Sequence, residues 1–256
     1  MNLPKTALSV HVDVKNPGQF FACCGLLEVA HRLWPKAEGW FEEDNFIVSV
    51  QGFVGDFPES LFKAPLECEV IAESDGMQDL KIAPVVLGPP ISMRLDWWLR
   101  EDGTPNLFKT WAANASSGQM FMKWRGPFRK VLRQSAFEIG SLLTTSQWTQ
   151  GSYGFDSDLG WDALKVGFSL NEHTRLKDLP TRPATELFGA IGLQRFFPAF
   201  DSKKKLVEYA SWDVPLCAPV ASLAVLGIAT AVIKHRFQTK FVKRASFKGL
   251  AEANLI

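Results

Sequence analysis

The chain has 256 residues, 46% of them apolar and 12% aromatic, and its 28 Lys and Arg against 27 Asp and Glu leave a formal net charge of +1. This is the composition of a folded globular protein with one large or two small domains, without a low-complexity tract or a long repeat array. Four cysteines without CxxC spacing fit buried thiols in a reducing compartment, and no basic n-region with an apolar h-region opens the sequence, so a cytoplasmic protein without a signal peptide is expected.

Residues 7–14 place Leu8, Val10, Val12 and Val14 on one side and Ser9, His11 and Asp13 on the other, the period-two pattern of a half-buried strand. A punctuated helix follows over 16–35. Asn16 is its cap, Pro17 its first residue, Gln19 stands at the capping-box position, and Trp34-Pro35 stops it. Phe21, Leu26, Leu27 and Val29 are expected in its core face. A strand is expected over 91–99 with Trp97-Trp98 at its end, then a turn at Asp102-Gly103. Asn106 is placed to cap a helix from Leu107, interrupted at 116–118 before a helical run to Arg133. Trp111, Trp148 and Trp161 read as core. Residues 182–198 repeat the opening unit in outline, with Gly192-Leu193 matching Gly25-Leu26. The apolar run over 214–233 contains Pro215 and Pro219 and reads as a buried helix plus strand, not a membrane span.

The fold class is therefore α+β: one domain over 1–256, or two pseudo-repeated halves, about 1–100 and 135–256, flanking a helical middle.

The near-zero net charge hides a division. Residues 38–79 hold eleven carboxylates and one lysine, a net −10 that the remainder balances with +11. Two stretches carry bases and no acid. Residues 123–133 hold Lys123, Arg125, Arg129, Lys130 and Arg133 beside Trp124 and Phe128. Residues 234–248 hold Lys234, Arg236, Lys240, Lys243, Arg244 and Lys248 with His235. Alternation puts Lys234, Arg236, Gln238 and Lys240 on one strand face and His235, Phe237, Thr239 and Phe241 on the other. Such a face follows a phosphate backbone, and aromatic neighbours stack on unpaired bases. The bland alternative is a solvated strand face and a solvated helix end. The acidic segment is expected away from the nucleic-acid path, because like charge repels phosphate.

Catalytic signatures are sparse. The chain lacks GxGxxG, GxxxxGK[ST], HExxH and GxSxG, and its histidines (His11, His31, His173, His235) are isolated. Asp156, Asp158 and Asp162 read as turn formers. No catalytic residue, metal ligand or cofactor is assigned.

Four segments (NPGQFFACCGLLEVAHRLWP, RLDWWL, LFKTWAANASS and RPATELFGAIGLQRFFP) resemble a CRISPR-associated family, the third Csb family of type I-U (I-G) systems. The resemblance implies a ferredoxin-like (RRM-like) core of the repeat-associated RNA-binding (RAMP) kind. It also implies a non-catalytic subunit of an RNA-guided effector complex, with CRISPR RNA or target DNA and other Cas effector subunits as partners and no membrane. The nucleic-acid-binding residues, read from the two basic stretches and not from the resemblance, are Lys123, Trp124, Arg125, Arg129, Lys130, Arg133, Lys234, Arg236, Lys240, Lys243 and Arg244. The alternative is a guide-RNA-processing endoribonuclease using His11 or His173 as general acid/base. A weaker third reading is a large-subunit-like protein that contacts target DNA near its recognition motif.

Overall fold

A computed structural model describes residues 5–52, 56–73, 81–111, 115–149, 152–158, 179–244 and 247–256. Trp161, Asp162, Glu172, His173, Asp75 and Asp79 lie outside them. The described residues form a mixed α+β fold built from several small antiparallel sheets and five α-helices.

Strand β1 (Lys5–His11) leads into α1 (Pro17–Leu33), followed by the hairpin β2 (Glu38–Glu42) and β3 (Asn45–Gln51), with sheet order β1-β3-β2. Asn16 Oδ1 accepts from the N–H groups of Gly18 and Gln19 at 3.0 and 3.3 Å, which satisfies two of the first-turn donors. Gln19 does not close a capping box. Its Oε1 accepts from the Asp13 N–H at 2.9 Å and so fixes the entry of the chain. At the other end Trp34 leaves the helical region and its N–H closes on Ala30 O.

The helix α2 (Phe57–Glu67) follows, then β4 (Val70–Ala72), β5 (Val85–Leu87) and β6 (Met93–Leu95) in order β4-β5-β6. The expected strand over 91–99 is only these last three residues. Trp97 and Trp98 instead turn inward, where their indole N–H groups donate to Ala190 O at 2.8 Å and Ile82 O at 2.7 Å. Residues 107–111, directly after Asn106, form no helix. The Asn106 side chain bonds Trp97 O, Leu99 O and the Phe108 N–H, so it stitches a loop in place of capping a turn. The helix α3 (Ser117–Leu132) carries the capping box, Ser116 with Gln119. Two three-residue strands follow and pair, β7 (Gln147–Thr149) and β8 (Leu179–Thr181). Trp148 on β7 is 72% exposed, against the expectation of a core position.

The helix α4 (Pro183–Arg195) precedes a second hairpin, β9 (Ala199–Asp201) and β10 (Leu206–Trp212). Helix-then-hairpin thus occurs twice. The short α5 (Ala218–Val225) leads to the long β11 (Ile233–Arg244), which β12 (Phe247–Leu250) and β13 (Asn254–Leu255) flank, in sheet order β12-β11-β10-β9. The expected buried helix over 214–233 is half exposed: Val220, Leu223 and Ile228 face outward.

Helices α1 and α4 form the centre. Both are buried nearly all round. They run side by side in the same direction: near their starts Asp156 accepts from Asn16 Nδ2 (2.7 Å) and Arg182 Nη1 (3.1 Å), and near their ends Glu28 pairs with Arg195. They touch at Gly25 and Gly192. A Cβ on Gly25 would stand 1.9 Å from Phe188 O, and one on Gly192 would stand 2.1 Å from Phe21 O. No residue but glycine fits there without moving a helix. Around the pair, Phe20 meets Tyr209 (4.4 Å between centroids) and Phe41 meets Trp212 (4.9 Å), which joins the N-terminal sheet to β10 through α1. Each fully buried Phe or Leu of α1 is worth about 2 kcal/mol relative to exposure.

Candidate nucleic-acid interface

The two basic clusters meet different fates. On β11, Phe237, Thr239 and Phe241 are buried, while Lys234, Arg236 and Lys240 are exposed and Gln238 is half-buried between them. The strand repeat spaces Arg236 and Lys240 by about 13 Å, at about 6.6 Å per two residues. Burial of the aromatic face against Tyr209 and Phe108 fixes which side turns out. Arg236 is positioned: its Nη2 donates to Gly227 O at 3.0 Å, and a Cβ on Gly227 would reach within 2.6 Å of Nη1. Gly227 has φ +76°, so the turn after α5 needs glycine for its backbone and for the guanidinium above it. Gln238 donates to Glu208 at 2.7 Å. The acids across this face, Glu208 and Asp201, come from β10 and β9 and not from residues 38–79.

His235, assigned to the buried face by alternation, is exposed near the start of β11. Lys243 shares the Phe241 side of the strand, and Arg244 is its last residue.

The cluster on α3 is largely structural. Trp124 is fully buried and offers no ring face to a base. Arg125 is 7% exposed, and its Nη2 donates to Cys68 O at 2.6 Å and approaches Cys68 Sγ at 3.0 Å. Arg129 Nη2 donates to Leu66 O at 2.6 Å. One turn apart, the two arginines serve the last carbonyls of α2, where a helix end favours cations. Lys123 is half-buried with Nζ 4.9 Å over the Trp124 ring, and burial holds its ammonium below the ordinary lysine value. Arg129, despite its bond to Leu66 O, is exposed, as are Lys130 and Arg133. Arg129 and Arg133 also line a groove of about 550 Å³ together with Asp56, Glu59 and Glu67. The acidic segment therefore meets this cluster instead of standing clear of it, and a phosphate backbone there would face three carboxylates. Trp124 and Arg125 leave the set of candidate contacts.

Sequence reasoning passed over the lysines that the fold adds to β11. The β9–β10 turn exposes Lys203, Lys204 and Lys205, and Asp201 accepts from the N–H groups of Lys203 and Lys204, which holds its carboxyl below the usual range. Leu206 pairs with Lys240, so this turn sits at the Lys240 end of the basic face. The triple lysine was the signal available.

The buried acids were also passed over. Glu28 lies between Arg32 (2.8 Å) and Arg195, and Glu186 accepts from Ser152 Oγ and the Tyr153 N–H. Their isolated positions in apolar helices marked them. Burial pushes the Glu186 carboxyl up to about 7. Asp156, read as a turn former, is fully buried at the two helix starts, and burial raises its carboxyl above the ordinary value against the pull of Arg182.

Among the described residues no group of three His, Cys, Asp or Glu is placed to hold a metal ion, and no helix is long and apolar enough to cross a membrane. His11 is exposed on β1, and His31 Nδ1 is buried with no hydrogen-bond partner among the described residues. No protein-family model, curated protein or solved structure matches this chain.

Proposed function

We propose that this protein is a cytoplasmic, non-catalytic RNA- or DNA-binding subunit of a type I CRISPR effector complex, acting in defence against foreign nucleic acid alongside other Cas subunits. The observation that carries the reading is the outward face of β11, where Lys234, Arg236 and Lys240 stand in line beside Lys203 and Lys204 of the β9–β10 turn. The four segments resembling the third Csb family supply the identity of the complex. A ferredoxin-like core belongs to the same proposal: the order β1-β3-β2 of β1-α1-β2-β3 is the order the first half of such a fold would have, although β4 pairs with β5 and not with β1.

In a guided complex, base pairing reads the sequence and protein holds the backbone. A row of Lys and Arg without a register to base edges suits that division. Each phosphate contact to a single strand adds about −0.7 to the slope of log affinity against log salt. Replacing Arg236 and Lys240 with Ala is expected to flatten that slope by roughly 1.4 and to weaken unrelated sequences alike. Equal binding by wild type and double variant at every salt concentration would remove β11 as the site. Metal-independent cleavage of a labelled repeat RNA would replace the subunit reading with the endoribonuclease.

A further inference from the structure

The opposite side of the same sheet end gathers a second set of lysines. Phe241 lies at its centre, packed by Phe108 (4.9 Å) and Phe200 (6.0 Å). Around that ring four chain segments each bring one lysine. Lys243 follows on β11, and Lys248 lies directly across from it on β12 with Nζ 5.2 Å from the Phe241 centroid. Lys205 ends the β9–β10 turn, its carbonyl accepting from the Phe241 N–H at 3.2 Å. Lys109 follows Phe108, its Nζ donating to Trp111 O at 2.9 Å.

Like charges directly opposite on paired strands destabilise a sheet. Lys243 and Lys248 are such a pair, and neither has an ion-pair partner among the described residues. The nearby Asp201 is taken up by the backbone of its own turn, with Lys204 Nζ at 4.0 Å. Burial first, then Lys109, Lys205 and Lys243, push the Lys248 ammonium down to about 8. Among the described residues no ion pair offsets the charge of Lys243 or Lys248.

We infer that Lys109, Lys205, Lys243 and Lys248 form a phosphate site that takes a phosphomonoester dianion. Lysine binds phosphate as a compact point charge. Near neutral pH a phosphomonoester carries close to two negative charges, since its second pKa is about 6, and so offsets two ammonium groups where an internal phosphodiester offsets one. The site faces away from Arg236 and Lys240, so it stands whether or not the outer face of β11 holds nucleic acid.

The test uses the full chain and the Lys243→Gln/Lys248→Gln variant. In chloride the variant is expected to melt above wild type, because the repulsion is gone. Inorganic phosphate is expected to raise the wild-type Tm saturably at constant ionic strength and to leave the variant unmoved. A wild-type response matched by chloride, or a full phosphate response in the variant, would overturn the site. Calorimetry at pH 8 in two buffers adds a second readout: binding should draw about half a proton onto Lys248, the group that Lys109, Lys205 and Lys243 face. Zero uptake would also count against it. Oligonucleotides of one sequence, with and without a 5′ or 3′ terminal phosphate, identify the source. A tenfold preference for the phosphorylated end, lost in the variant, assigns a strand terminus, whereas a response to inorganic phosphate alone assigns a small phosphate compound.

Discussion

The contact between α1 and α4 invites a direct perturbation, Gly25→Ala. Alanine favours a helix interior over glycine by about 1 kcal/mol, so propensity alone makes the change stabilising. The added methyl, however, would sit 1.9 Å from Phe188 O and 2.6 Å from Phe188 C, and neither atom is the end of a flexible side chain. Overpacking that side chains absorb costs about 1–3 kcal/mol. Here the helices must part instead, loosening the fully buried Phe21, Cys24, Phe188 and Leu193 on both. We expect a net loss of about 3 kcal/mol, a large share of the 5–15 kcal/mol typical of a domain. Gly192→Ala meets Phe21 O at 2.1 Å and Gly25 N at 2.6 Å and should cost as much. The double variant should cost clearly less than the sum, because one separation admits both methyls. Gly189→Ala is the internal control: one turn away on the same helix, its nearest contacts are 3.7 and 3.9 Å, so it should be neutral or stabilising by up to about 1 kcal/mol. Urea unfolding followed by tryptophan fluorescence measures all four. If Gly25→Ala and Gly189→Ala fall within about 0.5 kcal/mol of each other, the backbone contact is not what holds glycine at this crossing.

Glu186 sets a pH dependence. Its carboxyl titrates at about 7 folded against 4.5 unfolded, so the stability it contributes is full below about 4.5 and is lost as pH rises to about 7, a span of about 3 kcal/mol for this buried group. Glu186→Gln should remove that fall, which urea midpoints at pH 5 and pH 8 would detect; an unchanged wild-type slope in the variant refutes it. Arg125→Ala leaves the Cys68 carbonyl unpaired and removes one of the two arginine links from α3 to the end of α2, so a loss of about 2 kcal/mol is expected, against under 0.5 for the exposed Lys130→Ala. The same Arg125 variant, assayed well below its Tm, should keep its affinity for single-stranded RNA and its salt slope, and a flatter slope would return Arg125 to the interface.

The sequence was most legible where local chemistry decides structure. Asn16, Pro17 and Trp34-Pro35 marked both ends of α1 because caps and breakers act within a few residues. Alternation along β11 gave the buried Phe237, Thr239 and Phe241 for the same reason. What it missed was set by distant partners. The cationic run over 123–133 looks uniform, yet Arg125 is buried because Cys68 O, 57 positions away, needs a donor. Asn106 had the type of a helix cap, but the Trp97 and Leu99 carbonyls claimed its side chain. The lysine cluster around Phe241 joins Lys109 and Lys205 to the Lys243–Lys248 hairpin, three distant stretches that no spacing rule connects.

The meeting of Gly25 with Gly192 also governs how the chain is made. Arg195, which closes the far end of the helix pair, is 167 positions beyond its partner Glu28. At about 5–20 residues per second, a ribosome needs roughly 8 to 33 s to synthesise that interval. Throughout it, α1 has no second helix to cover Phe21, Cys24 and Gly25, and the turn that presents the Phe241 lysines does not yet exist. The nascent protein therefore leaves a helix that ends buried nearly all round without its main cover for longer than a small domain takes to fold, and a chaperone that shields such surface should bind stalled chains ending before residue 183 more strongly than those ending after 212.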